Sequence, residues 1–354
     1  MATMAAQVFF EKEKMDFKSV DIPVPSPEQI LVRVKACGIC GSDVAYYFGR
    51  SSLETPTGKG PLILGHEFTG EVVDVGAIPE KLGLFKKGDR VVLDPVQYCN
   101  ACEVCKRAMP NLCEKKTVLG VSTNGGFAEY CLSHYTGVHM IPEGVSYERA
   151  ALTEPLACAT YGVSKMDIQL GDFAVVLGGG VIGSLMLQLI KSSGAGKVLV
   201  ADTVDYRLDI AKKVGASLVY NVADKNSPYY TADLKKEVET LTNGKYADAC
   251  ICATGSVQAM EQAFDLTGRR ARIVYFGLPA DDARIRIPAL QTIFWDKSIR
   301  FSWLAPYTWP TALQAIANGL VNLDHIHSHD FALENLAEAI TNVRDMKGNP
   351  MKVV

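Results

Sequence analysis

No charge of one sign dominates this chain of 354 residues: 36 Lys and Arg stand against 39 Asp and Glu, a net of −3. A dedicated nucleic-acid surface or a polybasic membrane face needs a larger basic excess, so neither nucleic acid nor membrane is expected as a partner. A membrane-length apolar run is missing too. The nearest candidate, residues 173–190, is broken by Gly178, Gly179, Gly180 and Gly183 and carries Ser184 and Gln188, which suits a strand, turn and helix better than a span of about 20 residues. Residues 1–14 lack the basic cap and long apolar core of an export signal, so the protein is expected to be cytoplasmic. Repeats and low-complexity runs are absent. With 48% hydrophobic and 21% charged residues, disorder is excluded, and the length predicts two domains at roughly 150 residues each.

Cysteine, by contrast, is plentiful, and in a chain neither small nor secreted ten of them point to metal and packing rather than a disulfide framework. Cys99, Cys102, Cys105 and Cys113 form C-x2-C-x2-C-x7-C, four thiolates from one 15-residue loop. That set closes a tetrahedron around zinc with no open position, the arrangement of a structural site. Cys37, Cys40, Cys131, Cys158, Cys250 and Cys252 are dispersed. Cys250 and Cys252 fall in an apolar strand where packing is the default.

Two textures divide the chain. From about residue 7 to 155, short alternating and β-branched stretches separated by turns read as mostly β, for example 30–36, 70–76 and 90–93. From Asp172 onward, apolar strands at 173–178, 197–202, 248–253 and 272–277 alternate with helical periodicity at 181–193, 206–214 and 257–266, which predicts βαβ units and a parallel sheet. The fold class is therefore α/β, with domains expected at 1–156 and 157–297 and a segment 298–354 returning to the first. Residues 311–319 and 333–343 read as amphipathic helices, and the polar stretch 224–233, with Pro228, as a surface connection.

The strand 173–177 runs into Gly178-x-Gly180-x-x-Gly183 and a helix, and Asp202 ends the next strand 19 residues after Gly183. In that setting every glycine has a physical reason: Gly178 makes the turn, Gly180 admits a pyrophosphate to the backbone, and Gly183 lets helix and strand pack closely. The helix start at Val181 and Ile182 faces the phosphate charge. Asp202 accepts from the adenosine ribose and repels a 2′-phosphate, which favours NAD; Arg207 offers that phosphate a cation, which keeps NADP as the alternative.

A second constellation lies in the β half: Cys37-Gly38-Ile39-Cys40-Gly41-Ser42-Asp43 and Gly65-His66-Glu67-x-x-Gly70. A thiolate, an imidazole and carboxylates suit zinc, and three protein ligands with an open position make a catalytic site. Sequence spacing alone does not join them. Taken together and in this order, the Cys40-Gly41-Ser42-Asp43 turn, the His66-Glu67 motif, the four-cysteine loop and G-x-G-x-x-G resemble the zinc-dependent medium-chain dehydrogenases over nearly the full chain. Glu154, in Thr153-Glu154-Pro155-Leu156, resembles the sorbitol dehydrogenase branch, where simple alcohol dehydrogenases carry cysteine.

The resemblance implies a GroES-like, mostly β catalytic domain beside a doubly wound Rossmann cofactor domain. It implies two zinc ions per chain: a catalytic one among Cys40, His66 and Glu154, with Glu67 a ligand or in exchange with the open site, and the structural one in the cysteine loop. Asp43 would orient His66, and Ser42 would begin a proton relay. The implied reaction oxidises a secondary alcohol of a polyol or sugar derivative to a ketone, with zinc as Lewis acid and NAD taking the hydride. A polyol phosphate, an aldonate, a cyclitol or a vicinal diol is the alternative substrate, and a non-catalytic NAD- and zinc-binding protein the alternative role. Relatives are dimers or tetramers, which implies a homo-oligomer, tetramer before dimer.

Departures from the pattern bear on substrate and proton path. Where many relatives place histidine three positions after Ser42 this chain has Ala45, leaving Tyr46 or water as the outlet. Leu304 and Ala305 replace the Arg-Tyr pair of polyol-binding relatives in what reads as a strand before Thr308. Tyr46, Tyr47, Phe48, Trp303 and Tyr307 line a pocket or fill core. Arg50 and Lys59 either meet an anionic substrate or are solvated loop charges. His325, His327 and His329 share one strand face and are not assigned a metal.

Overall fold

The strand Phe173–Leu177 is apolar and buried at every position, as a strand covered on both faces must be. It lies within a six-stranded parallel sheet ordered Leu218–Asn221, Lys197–Asp202, Phe173–Leu177, Ala247–Cys252, Thr267–Tyr275 and Ser298–Phe301. The order reverses next to Phe173–Leu177, the crevice where doubly wound sheets take nucleotides. The helices Val181–Ser192, Asp205–Lys213, Leu234–Leu241 and Val257–Leu266 connect these strands. Val175, Leu199, Cys250, Cys252, Phe264 and Ile273 share one core. The computed structural model describes residues 2–51 and 60–354.

By its contacts the chain forms two compact units. One comprises residues 1–154, 309–318 and 327–354; the other comprises 155–308 and 319–326 and contains the parallel sheet. The first unit is mostly antiparallel β. Its five-stranded sheet runs Val138–Met140, Arg90–Leu93, Glu67–Val75, Gln29–Gly38, Tyr130–His134. A separate three-stranded sheet is made by Lys14–Asp21, Thr3–Glu11 and Leu62–Ile63. Ile30, Val32, Phe68, Val91 and Leu93 fill the core of the larger sheet. The last strand, Lys352–Val353, pairs in parallel with His327–His329 and accepts from Ile39 N–H through the Val353 carbonyl, 2.9 Å. This ties the chain terminus to the residue preceding Cys40.

The structure bears out one expectation, departs from a second and decides a reading left open. The stretch 224–233 is the expected surface connection, mostly exposed, with Ser227 and Thr231, each 8% exposed, tied to Asp205 and to the edge-strand residue Asn221. Leu304 and Ala305 sit in a turn, not a strand; the strand ends at Phe301, and Leu304 takes φ +60°. Tyr46, Tyr47 and Phe48 are core, packed with Phe9, whose ring meets Tyr46 edge-on at 5.3 Å. Among the described residues no helix is long and apolar enough to cross a membrane.

Candidate metal centres and nucleotide site

Two local features bring Cys40, Ser42 and His66 together. Cys40 caps the short helix Gly41–Tyr47, and Asp43, its third residue, returns Oδ2 to the Cys40 N–H at 2.9 Å. That capping bond fixes the turn carrying Cys40 and Ser42. The same carboxylate, 2% exposed, presents Oδ1 to His66 Nδ1 at 3.3 Å. On the other side of the ring, His66 Nε2 lies 3.3 Å from Ser42 Oγ. His66 is aimed from Gly65, at φ +90°, where a Cβ would fall within 2.9 Å of Phe127 and Cys37, so a side chain is barred on both strain and space.

Cys40, His66 and Glu67 each bring a ligand-type atom within 4.8 Å of the others. Burial alone would depress the His66 imidazole; the charges of Asp43 and Cys40 outweigh it and hold it well above its usual value. Glu67 is 1% exposed and both its oxygens are taken by Lys352 Nζ, at 2.8 and 2.6 Å. The ammonium also donates to the Ile39 carbonyl at 3.1 Å. Glu154 opens the helix Thr153–Ser164 and acts electrostatically on Lys352 and on Asp94, but it is not one of the three converging groups. The donor set of a thiol, an imidazole and nearby carboxylates fits zinc.

Cys99, Cys102, Cys105 and Cys113 converge as a second group. Their sulfurs lie 3.4 Å (Cys99 to Cys113), 3.8 Å (Cys102 to Cys113) and 4.0 Å (Cys99 to Cys105) apart. A tetrahedron with Zn–S bonds of about 2.3 Å has edges of about 3.8 Å, so four thiolates at these separations match zinc. The N–H groups of Ala101 and Cys102 bring Cys99 down to about 6, which favours its thiolate at neutral pH. None of the ten cysteines, all among the described residues, is joined in a disulfide.

In the sheet unit, Gly183 packs against the Gly178 carbonyl so closely that a Cβ there would come within 1.8 Å of it. The helix Val181–Ser192 starts at Gly180 with no side chain capping its N-terminus, leaving the amides near Val181 and Ile182 available to an anion. A cavity of about 450 Å³ opens there, lined by Gly178, Gly180, Asp202, Arg207 and Thr231 among others. Asp202 is held firmly: Oδ2 accepts from Gly179 N–H at 2.6 Å and Oδ1 from Thr203 and Val204 N–H at 2.7 and 2.9 Å, with Arg207 Nη1 at 3.9 Å. A nucleotide's phosphates and ribose fit this lining.

The remaining candidate residues have local partners or lie elsewhere. Arg50 is exposed, and Lys59 is outside the described residues. His327 pairs with Asp330 at 2.8 Å and His329 with Ser328 at 2.9 Å. Lys352 is the site residue that sequence reasoning missed. Its signal was a lone cation in the run Met351-Lys352-Val353-Val354, because a charge among apolar neighbours is buried only when paired.

Residues 26–143 match the model of the alcohol dehydrogenase GroES-like domain, and residues 181–318 that of the zinc-binding dehydrogenases. The chain is 33% identical to D-arabitol-phosphate dehydrogenase of Enterococcus avium over 97% of its own length and 94% of the relative's. It is 29% identical to sorbitol dehydrogenase of Bacillus subtilis, covering 99% of this chain and 96% of that one. Among solved structures, a zinc-binding dehydrogenase of Sinorhizobium meliloti bound to NADP superposes with a TM-score of 0.90 at 28% identity, covering 100% of this chain and 99% of that one.

Proposed function

The chain belongs to the zinc-dependent medium-chain dehydrogenases, in their polyol branch, and from that membership we propose that it oxidises a secondary alcohol of a polyol or sugar derivative to a ketone, with NAD as hydride acceptor. The observation that carries the reading is the convergence of Cys40, His66 and Glu67 around Ser42, with Glu67 already committed to Lys352.

In this reading Cys40, His66 and Glu154 hold the catalytic zinc, and the four clustered cysteines hold a structural one. When bound, the catalytic zinc supplies Lewis acidity toward the substrate oxygen, and the nicotinamide accepts hydride. The protein's residues do the rest. Asp43 fixes the imidazole by its 3.3 Å contact with Nδ1. Ser42 Oγ, beside His66 Nε2, is placed to receive the hydroxyl proton and pass it outward through water, since Ala45 offers no imidazole. Lys352 neutralises Glu67, so that the donor set does not carry a surplus carboxylate charge. Asp202 supports NAD over NADP by placing a carboxylate in the nucleotide cavity.

The substrate is either a neutral polyol or its phosphate, and a relative named for arabitol phosphate gives the second weight. Arg50, exposed just after the Ser42 helix, is a cation available to an anionic substrate. NADH formation with polyols, polyol phosphates, aldonates and cyclitols separates these. Arg50→Ala is expected to raise KM for the phosphate alone; an unchanged ratio removes the anionic assignment.

The protein is further read as a cytoplasmic homo-oligomer. The helix Ala289–Phe294 buries none of its residues, and Leu290, Ile293, Phe294 and the edge-strand residue Phe301 are 65–72% exposed. Such an apolar patch beside a sheet edge supports self-association. Light scattering of the purified protein decides it: a monomer at micromolar concentration ends the reading.

A further inference from the structure

The loop that follows the strand Leu218–Asn221 begins and ends on a single buried residue, Asn221, whose side chain holds its start and whose backbone holds its end. Asn221 is 1% exposed, yet its hydrogen-bonding groups are all engaged. Oδ1 accepts from the N–H groups of Ala223 and Asp224 at 2.9 and 2.8 Å. Nδ2 donates to Asp205 Oδ1 at 2.7 Å and to the Thr203 carbonyl at 3.3 Å. Its own N–H donates to the Tyr229 carbonyl at 2.9 Å, and its carbonyl accepts from Thr231 N–H at 3.0 Å. Ser227 Oγ closes the loop on the same Asp205 oxygen at 2.6 Å.

Both ends of this network reach the nucleotide cavity. Thr203 and Val204 give their N–H groups to Asp202, the carboxylate in the cavity. Val222, Ala223, Thr231 and Ala232, which the loop presents, form part of the cavity wall. None of the bonded groups belongs to the Cys40 and His66 centre. We infer that Asn221 is a positioning residue for the cofactor: by pinning the loop 222–231 to the Asp202–Asp205 turn, it sets the shape of the adenosine side of the nucleotide cavity without touching the chemistry.

An amide offers two donors and two acceptor sites, and here each is used inside the protein. Replacing it with an apolar side chain strands two loop N–H groups and Asp205 at once, and a buried polar group left unpaired is costly. The loop relieves that cost by moving toward water, which removes the wall against which the adenosine half packs. Affinity for the adenosine half should fall, while the rate of hydride transfer from a fully bound complex should not.

The inference rests on the dinucleotide reading above, and the test separates the two. ADP-ribose, which carries the adenosine half without nicotinamide, is titrated calorimetrically into the zinc-loaded protein and into Asn221→Ala, and NAD kinetics are measured on both. Expected are a weakening of ADP-ribose binding and a rise in KM for NAD, each on the order of tenfold, with kcat unchanged. Ser227→Ala, which removes one bond of the network, should give a smaller shift in the same direction and decides the matter if Asn221→Ala does not fold. Unchanged ADP-ribose affinity in the variant that folds, or a fall in kcat at constant KM, overturns the inference. A wild type that binds neither ADP-ribose nor NAD overturns the dinucleotide reading, and this inference with it.

Discussion

Lys352 Nζ donates to both carboxylate oxygens of Glu67, at 2.6 and 2.8 Å, across 285 positions of sequence. Both side chains are almost fully buried, at 5% and 1% exposure. Burial alone would lower the Lys352 ammonium; Glu67 reverses this and raises it above its usual value. The pair therefore holds Glu67 as a neutralised neighbour of Cys40 and His66.

Removing one partner leaves an uncompensated buried charge. Lys352→Met is expected to destabilise the protein by about 3–5 kcal/mol in denaturant unfolding, and the double variant with Glu67→Gln to recover a large part of it. A single variant within about 1 kcal/mol of wild type contradicts the pairing as a stabilising requirement.

The cysteine loop makes its own demand. Cys105→Ser takes one thiol from the four-sulfur cluster. Bound zinc should fall from about two per chain to about one, with easier proteolysis at residues 99–113, while NADH formation per remaining catalytic zinc persists. Two zinc ions retained per chain would show that the loop is not a metal site.

Cofactor choice turns on Asp202. Asp202→Gly removes the carboxylate and leaves Arg207, 3.9 Å from it, without this negative neighbour. The ratio of kcat/KM for NADP to that for NAD should rise by about tenfold or more. An unmoved ratio means that some other group discriminates.

Stability should also depend on pH through Asp94. Burial, opposed by the Val96 N–H and assisted by Glu154, raises this carboxyl from 3.8 to about 8. The folded chain then holds a proton that the unfolded chain releases, so stability falls as pH climbs between those two values and is flat beyond them. Asp94→Asn, neutral throughout, should show a shallower fall in unfolding free energy between about pH 5 and about pH 8. Identical slopes would remove Asp94 as the cause.

Much of this was legible from local pattern. The turn at Cys40, the His66-Glu67 pair and the glycine loop are each built within a few residues, so their spacing carried their geometry. The cysteine loop is likewise self-contained. Lys352 was not legible, because its partner is set by the return of the chain terminus beside Ile39. Asn221 was hidden for a different reason: most of its bonds go to backbone groups, which leave no mark on residue identity. Tyr46, Tyr47 and Phe48 sit next to the Cys40 turn, and an aromatic there reads equally well as pocket or core until burial decides for core. The polar composition of 224–233 rightly suggested solvent, but not that the Ser227 and Thr231 hydroxyls within it turn inward to Asp205 and Glu237.

Zinc-dependent hydride transfer at the Cys40 and His66 centre is tested most directly by NADH formation from the polyol panel, with zinc-loaded wild type beside His66→Ala and bound zinc counted in both. Wild-type turnover is expected with about two zinc ions per chain, and in the variant a loss of about one zinc together with at least a roughly hundredfold fall in rate. Activity surviving in a variant that has lost that zinc would contradict the assignment.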